Sequence, residues 1–265
     1  MAGKPFPYRD YLAPGYWPMW LGFGLLKAAT RLPVNWSLAI GDKLGWLIYH
    51  LVASRRHVAC LNIKQAYPDY TEAQRQQLNL ACFRSLGMSI FETAYAWYGT
   101  DAKLRKICAV EGLHHVEQAR ENGRGVIILT GHFTTLDIGG RLSGFYLSDY
   151  NGVYKKAHNP LFNAMMTHCR ARYGNALIEN RDVRKVIKGL KQGNPTWFAP
   201  DQDFADQDIV FTPFLGGLAT TLTATAKMAR LTGASVIPFC PVRLDKTRAD
   251  GVRYKMVFYP PLENF

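Results

Sequence analysis

No uninterrupted apolar run of about 20 residues occurs in this 265-residue chain, so it offers no clear membrane-spanning helix. A small-residue cleavage site of the signal-peptide kind is missing as well. The five cysteines (Cys60, Cys82, Cys108, Cys169 and Cys240) are odd in number and lack C-x-x-C spacing. That argues against a disulfide framework or zinc cluster and for a reducing compartment. Neither a Gly-x-Ser-x-Gly elbow nor a Gly-x-x-x-x-Gly-Lys phosphate cradle is present, so a serine hydrolase and a P-loop ATPase fall away. Acids are scarce: 20 Asp and Glu stand against 32 Lys and Arg, a net charge of +12. The imbalance points to an anionic partner: nucleic acid, an anionic membrane surface or an acidic protein.

What is present suffices for a large core, since 48% of residues are hydrophobic and 13% aromatic. The N-terminal stretch Tyr16 to Leu26 is strongly apolar, and a second apolar segment covers Leu44 to Ala53 before Arg55-Arg56. Residues 1–60 hold seven cations (Lys4, Arg9, Lys27, Arg31, Lys43, Arg55, Arg56) against Asp10 and Asp42. Tryptophan and tyrosine beside basic residues suit a membrane–water interface. The expectation is a membrane anchor, as one short span or an interfacial helix pair, with a basic flank on the cytoplasmic side.

Thr71-Glu72-Ala73-Gln74 reads as a capping box opening a helix to Gly87, followed by a further helix over Met88–Tyr98. From Val126 onward the pattern alternates between strands and helices. Strands are expected at Val126–Leu129, Asn151–Tyr154, Thr196–Pro200, Ser235–Val242 and Tyr254–Tyr259, with Val210–Phe214 extended. Helices are expected at Pro160–Arg172, at Asp182–Gln192 and from Gly217 through Thr221 to Leu231. The fold class this implies is α/β, a central mixed but mostly parallel sheet flanked by helices.

Candidate chemistry centres on Gly131-His132, which directly follows the first of those strands, with Asp137 five residues beyond the histidine. Histidine takes a proton near neutral pH, and a carboxylate holds its ring in one tautomer. On a continuous helix five residues turn through about 500°, leaving the two side chains some 140° apart. They meet only if His132 precedes the helix that carries Asp137. A lone histidine at a strand end is more often structural, so its neighbours decide. Between Tyr154 and Gly193 lie nine cations (Lys155, Lys156, Arg170, Arg172, Arg181, Arg184, Lys185, Lys188, Lys191) against Glu179 and Asp182. In an alternating fold some of these line the strand ends, where such folds place their sites. Asp201 and Asp203 offer two carboxylates without a third ligand, so an Asp–Arg pair fits that loop better than a metal. The basic segment lacks the aromatic pattern of an RNA-binding sheet. A histidine base beside a cationic trough suits an amphipathic anion whose hydroxyl attacks an activated acyl group.

The chain closely resembles the lipid A late acyltransferases, the lauroyl/myristoyl-type enzymes of Gram-negative bacteria. The resemblance is carried by Tyr16-Trp17, Trp20-Leu21-Gly22, Asn62 to Pro68, Phe91-Glu92-Thr93, Ala96-Trp97 and Gly131 to Asp137. Further matches are Asn159-Pro160-Leu161, Arg170-x-Arg172, Ala199 to Asp203 and Ala219-Thr220-Thr221. The H-x-x-x-x-D motif alone is shared with glycerolipid acyltransferases. Phe133 with Leu136 looks like the lauroyl-transferring branch.

The resemblance implies an inner-membrane enzyme facing the cytoplasm. It would move an acyl chain from acyl carrier protein to a hydroxyl of the Kdo-bearing lipid A precursor, with no metal or other cofactor and no nucleic acid. His132 would be the base and Asp137 its partner. Arg170, Lys155, Lys156 and Arg172 would face precursor phosphates or carboxylates, with Asp201 bracing Arg170 and Asp203 beside it. Two departures stand out. Lys155-Lys156 replace the Arg-Pro that often follows the tyrosine matching Tyr154, so a monodentate ammonium stands where a planar fork is usual. Relatives also continue past the position of Phe265 with a further helical region. The expected organisation is N-terminal membrane-associated helices over residues 1–60 and an α/β acyltransferase domain over 61–265, without that region. Two other readings stay open on the residues: an acyltransferase acting on a glycerolipid or another glycolipid, and a non-catalytic basic membrane-binding protein.

Overall fold

A computed structural model describes residues 5–147, 149–174, 176–202 and 209–263. Four helices lead the chain: α1 (Trp17–Ala29), α2 (Val34–Leu51), α3 (Ala53–Ala66) and α4 (Glu72–Tyr98). The capping box at Thr71 is formed, with Gln74 N–H donating to Thr71 Oγ1 and Thr71 N–H donating to Gln74 Oε1 at 2.8 Å. The helix it opens does not stop at Gly87, however, and runs unbroken for 27 residues. Gly87 is where α2 crosses. A Cβ there would lie 2.1 Å from the Gly41 carbonyl oxygen, and one on Gly45 would lie 2.2 Å from that of Phe83. Backbone meets backbone at these glycines, and neither helix can yield locally. Gly87→Ala is therefore expected to lower stability by about 1–3 kcal/mol despite alanine's better helix propensity, as read by the unfolding midpoint.

The rest is α5 (Asp101–Arg105), β1 (Cys108–Glu111), α6 (His114–Glu121), β2 (Val126–Leu129), α7 (Leu136–Ser143), β3 (Asn151–Tyr154), α8 (Pro160–Arg170) and β4 (Ala176–Glu179). There follow α9 (Val183–Lys191), β5 (Thr196–Phe198), β6 (Ile209–Phe214), β7 (Gly217–Leu222), α10 (Ala224–Thr232), β8 (Ser235–Arg243) and β9 (Tyr254–Phe258). Seven strands form one sheet in the order β1-β9-β8-β2-β5-β3-β4. From β8 to β4 all neighbours are parallel; β9 runs antiparallel to β8, and β1 parallel to β9. This is the expected mixed, mostly parallel sheet. β2 shows why its run is apolar on both faces. Val126 and Ile128 pack with Ile138 and Leu142 of α7, while Ile127 packs with Val186 and Leu190 of α9 and Met228 of α10.

Of two further expectations, one changes and one narrows. The helix anticipated through Thr221 begins only at Ala224, because Gly217–Leu222 pairs with β6 as an antiparallel hairpin. Thr221 meets Thr212 across it, hydroxyl to hydroxyl at 2.7 Å. No helix among the described residues is long and apolar enough to cross a membrane. The 13 residues of α1 instead expose Trp17, Leu21 and Leu25 at four-residue steps along one face. The N-terminal helices also reach inward, since Phe23, Val34 and Leu38 belong to the cluster that contains Val126 and Ile128.

Candidate active site

The carboxyl ends of the parallel strands converge on one cavity, as open α/β sheets generally arrange. β2 ends at Leu129, and Thr130 N–H donates to the Phe198 carbonyl of β5 at 3.0 Å. The chain then turns through Gly131 and His132 into α7, the strand-to-helix corner that the His132–Asp137 spacing demanded. Two hydroxyls staple this corner. Thr134 Oγ1 lies 2.7 Å from Ser85 Oγ on α4, and Thr135 Oγ1 donates to the Pro241 carbonyl of β8 at 2.7 Å.

His132 is held by Asp201, three residues beyond β5. Its Nδ1 lies 2.5 Å from Asp201 Oδ1, and its backbone N–H donates to Oδ2 at 2.7 Å. One carboxylate thus fixes both the ring and the main chain. Gly131 permits the approach, since a Cβ there would lie 3.2 Å from Oδ2. Burial pushes the Asp201 carboxyl up, but the hydrogen bonds from His132 outweigh it and hold the group below the usual carboxylate range. The carboxylate therefore stays charged through neutral pH and accepts an Nδ1 proton. That leaves Nε2 as the ring's free lone pair.

Asp137 has a different partner from the one anticipated. On the first turn of α7 it accepts from Arg170 Nε at 2.9 Å and from Nη2 at 2.8 Å, an ion pair joining α7 to the last residue of α8. The expected pairs, Asp137 with His132 and Asp201 with Arg170, are exchanged. His132 stands four residues ahead of the helix, with its ring on the carboxylate beyond β5. Burial works against the Arg170 charge, yet its neighbours, Asp137 foremost with Tyr173 and Tyr150, together outweigh that and raise the guanidinium further.

His132, Asp137 and Arg170 line a cavity of about 670 Å³, within the size range of small-molecule sites. His132, Asp137, Arg170, Lys155, Asn180 and Gln202 supply its polar groups, and Leu177, Val186, Ile187, Trp197, Met228 and Leu231 much of its apolar wall. Tyr150 and Tyr173 also face it. Burial raises both phenols well above their ordinary range, so both stay protonated and neither is a base at neutral pH. Of the other cations singled out from sequence, Lys156 is exposed and does not line the cavity. Arg172 lies outside the lining too and donates to the Trp97 carbonyl at 3.2 Å. Asp203 lies outside the described residues.

Sequence reasoning passed over the support behind the corner. Glu92 of α4 is 1% exposed, and both its oxygens accept from Arg243 Nη1 of β8 at 2.9 Å. Tyr254 OH of β9 donates to it at 2.8 Å. Arg243 Nη2 donates to Ser85, which reaches Thr134. The available signal was an acid set within the apolar face of a helix, a position that needs a buried partner.

Over residues 7–264 the chain matches the family described as "Bacterial lipid A biosynthesis acyltransferase". It is 33% identical to a lipid A biosynthesis lauroyltransferase of Escherichia coli (strain K12), over 98% of this chain and 84% of that protein. A lipid A biosynthesis palmitoleoyltransferase of the same organism is 32% identical, over 97% of this chain and 83% of its own. A lipid A biosynthesis acyltransferase of Haemophilus influenzae is 34% identical, over 96% and 80% respectively.

Proposed function

The chain belongs to the bacterial lipid A biosynthesis acyltransferase family, and on that premise we propose that His132 is the general base of its acyl transfer to a lipid A precursor. The observation that carries this is the His132–Asp201 pair on a cavity that Arg170 also lines. In the reaction, Nε2 takes the proton of a hydroxyl on the precursor's acyl chain. The oxygen attacks the carbonyl carbon of an acyl thioester, the carbon–sulfur bond breaks, and the imidazolium returns its proton to the departing sulfur. Asp201 stabilises that cation. Arg170, locked by Asp137, presents charge to precursor phosphate or carboxylate groups, and Lys155 adds to it.

The donor in this reading is acyl carrier protein, an acidic protein that the basic surface attracts in a salt-sensitive way. Exposed Arg181, Arg184, Lys188 and Lys191 on and beside α9 supply part of that surface. The acyl group transferred is lauroyl, set by the apolar cavity walls. Residues 1–60 act as the membrane-side segment ahead of the catalytic domain of 61–265. The exposed stripe of α1 supports helices lying in the cytoplasmic leaflet of the inner membrane. The test is mass spectrometry of the product made from the Kdo-bearing precursor and a mixed pool of acyl carrier proteins of different chain length. The expected product carries one added lauroyl group. Transfer to a glycerolipid in preference to this precursor would overturn the reading, and a different chain length would overturn the lauroyl assignment alone.

A further inference from the structure

The hairpin of β6 and β7 stands apart from the seven-stranded sheet. Its span, residues 209–222, contains no charged residue. Phe211, Phe214, Leu215 and Leu218 are between 58% and 67% exposed, and Val210 is also open. Strand pairing sets Phe211 opposite Thr220 and Pro213 opposite Leu218, so Phe211, Pro213 and Leu218 share one face. An isolated two-stranded hairpin is marginal in water, and clustered exposed apolar side chains mark a surface that meets something else.

The turn sharpens this. Leu215 sits at φ 51°, in the left-handed region. Asparagine or glycine is the residue that such a hairpin turn favours. A leucine there is strained by its backbone and wasted on water by its side chain, and both features make sense if the tip leaves water. The turn is also braced on the C-terminal end of α3. A Cβ at Gly216 would lie 2.3 Å from the Gln65 carbonyl and 2.8 Å from Pro68. The charged residues of α3 are Arg55, Arg56 and Lys64, with no acid among them, and Val58 and Leu61 beside them are half exposed. Apolar tips beside a helix whose charges are all positive, on a chain of net charge +12, match an anionic lipid surface.

We propose that the β6–β7 hairpin, with Leu215 at its tip, inserts into an anionic bilayer as a contact separate from the exposed stripe of α1. Its inner end explains the use. β7 finishes on Leu222, which lines the cavity, and α10 adds Ala224, Met228 and Leu231 to the wall. The hairpin therefore joins the bilayer to the cavity, so that an amphipathic acceptor enters without its chains crossing water. That last step rests on the lipid-acyltransferase reading, whereas bilayer insertion does not.

The test uses the full chain with Leu215→Asn, which suits the left-handed turn and so preserves the fold, and with Leu218→Ser as a second variant. Each is measured for sedimentation with phosphatidylglycerol-containing vesicles and with phosphatidylcholine vesicles, and for acyl transfer to vesicle-embedded and to detergent-dispersed acceptor. The expected result is roughly tenfold weaker partition onto the anionic vesicles, the effect of withdrawing one large apolar side chain from lipid. Transfer to embedded acceptor falls with it, while the detergent rate and the unfolding midpoint stay at parental values. Unchanged partition of both variants overturns the proposal. So does a concentration-dependent dimer of the parent that Leu215→Asn dissolves, because the hairpin's occupant is then a second copy. A parent chain inactive in detergent would count against the acyl-transfer reading and leave the partition result to judge the hairpin.

Discussion

Replacing His132 with alanine is expected to slow acyl transfer by about 10²–10⁴-fold at saturating donor and acceptor, the usual contribution of a positioned general base. The fold should not notice. His132 is 40% exposed at its side chain, and substitutions at such positions usually shift stability by no more than about 0.5 kcal/mol. Asp201 also keeps its second hydrogen bond, because the backbone N–H of residue 132 survives the change. Acceptor binding should persist as well, since Arg170 and its partner Asp137 are untouched. The measurement is initial rate together with acceptor affinity and the unfolding midpoint. A rate near the parental value would remove His132 from the chemistry. A loss that merely tracks a falling midpoint would reduce it to a structural histidine.

Local signals made that histidine legible. A β-branched run with glycine at its end is a strand that stops, and Thr71 with Gln74 is a cap visible in four letters. β2, β3, β8 and β9 were readable for the same reason. Within the seven-stranded sheet the two strands that went unread, β1 and β4, are its two edges. Each is four residues long and mixed in polarity, because an edge strand is not squeezed between two apolar layers. Gly87 was misread for the opposite reason. A local stop signal was overruled by α2, whose backbone needs the space a side chain would fill. The support behind the site was hidden by distance along the chain. Glu92 and Arg243 are 151 residues apart, and nothing in a window of sequence couples them.

The pairing of the two aspartates was the least legible feature, and it gives the second large expected effect. Asp201→Asn should cut turnover by about 10⁴-fold, the penalty for fixing a catalytic imidazole in the wrong tautomer. An asparagine at 201 can still accept the His132 backbone N–H through its carbonyl oxygen. Its amide then presents a donor to Nδ1, so Nδ1 becomes the acceptor and Nε2 already carries the proton it should take. Stability and acceptor affinity should change little, because the corner keeps its staples through Thr134 and Thr135. Asp137→Asn should do the converse. It leaves the His132 tautomer alone and takes a charged partner from Arg170, whose side chain is 21% exposed. Losing a partly buried, charged hydrogen-bond partner costs about 1–3 kcal/mol. The unfolding midpoint should fall and acceptor affinity weaken as Arg170 loosens, while turnover at saturation falls far less than in Asp201→Asn. If turnover instead collapsed in Asp137→Asn and survived in Asp201→Asn, the orienting role would pass to Asp137. The five-residue spacing would then have named the working pair, with the observed contacts belonging to a resting arrangement.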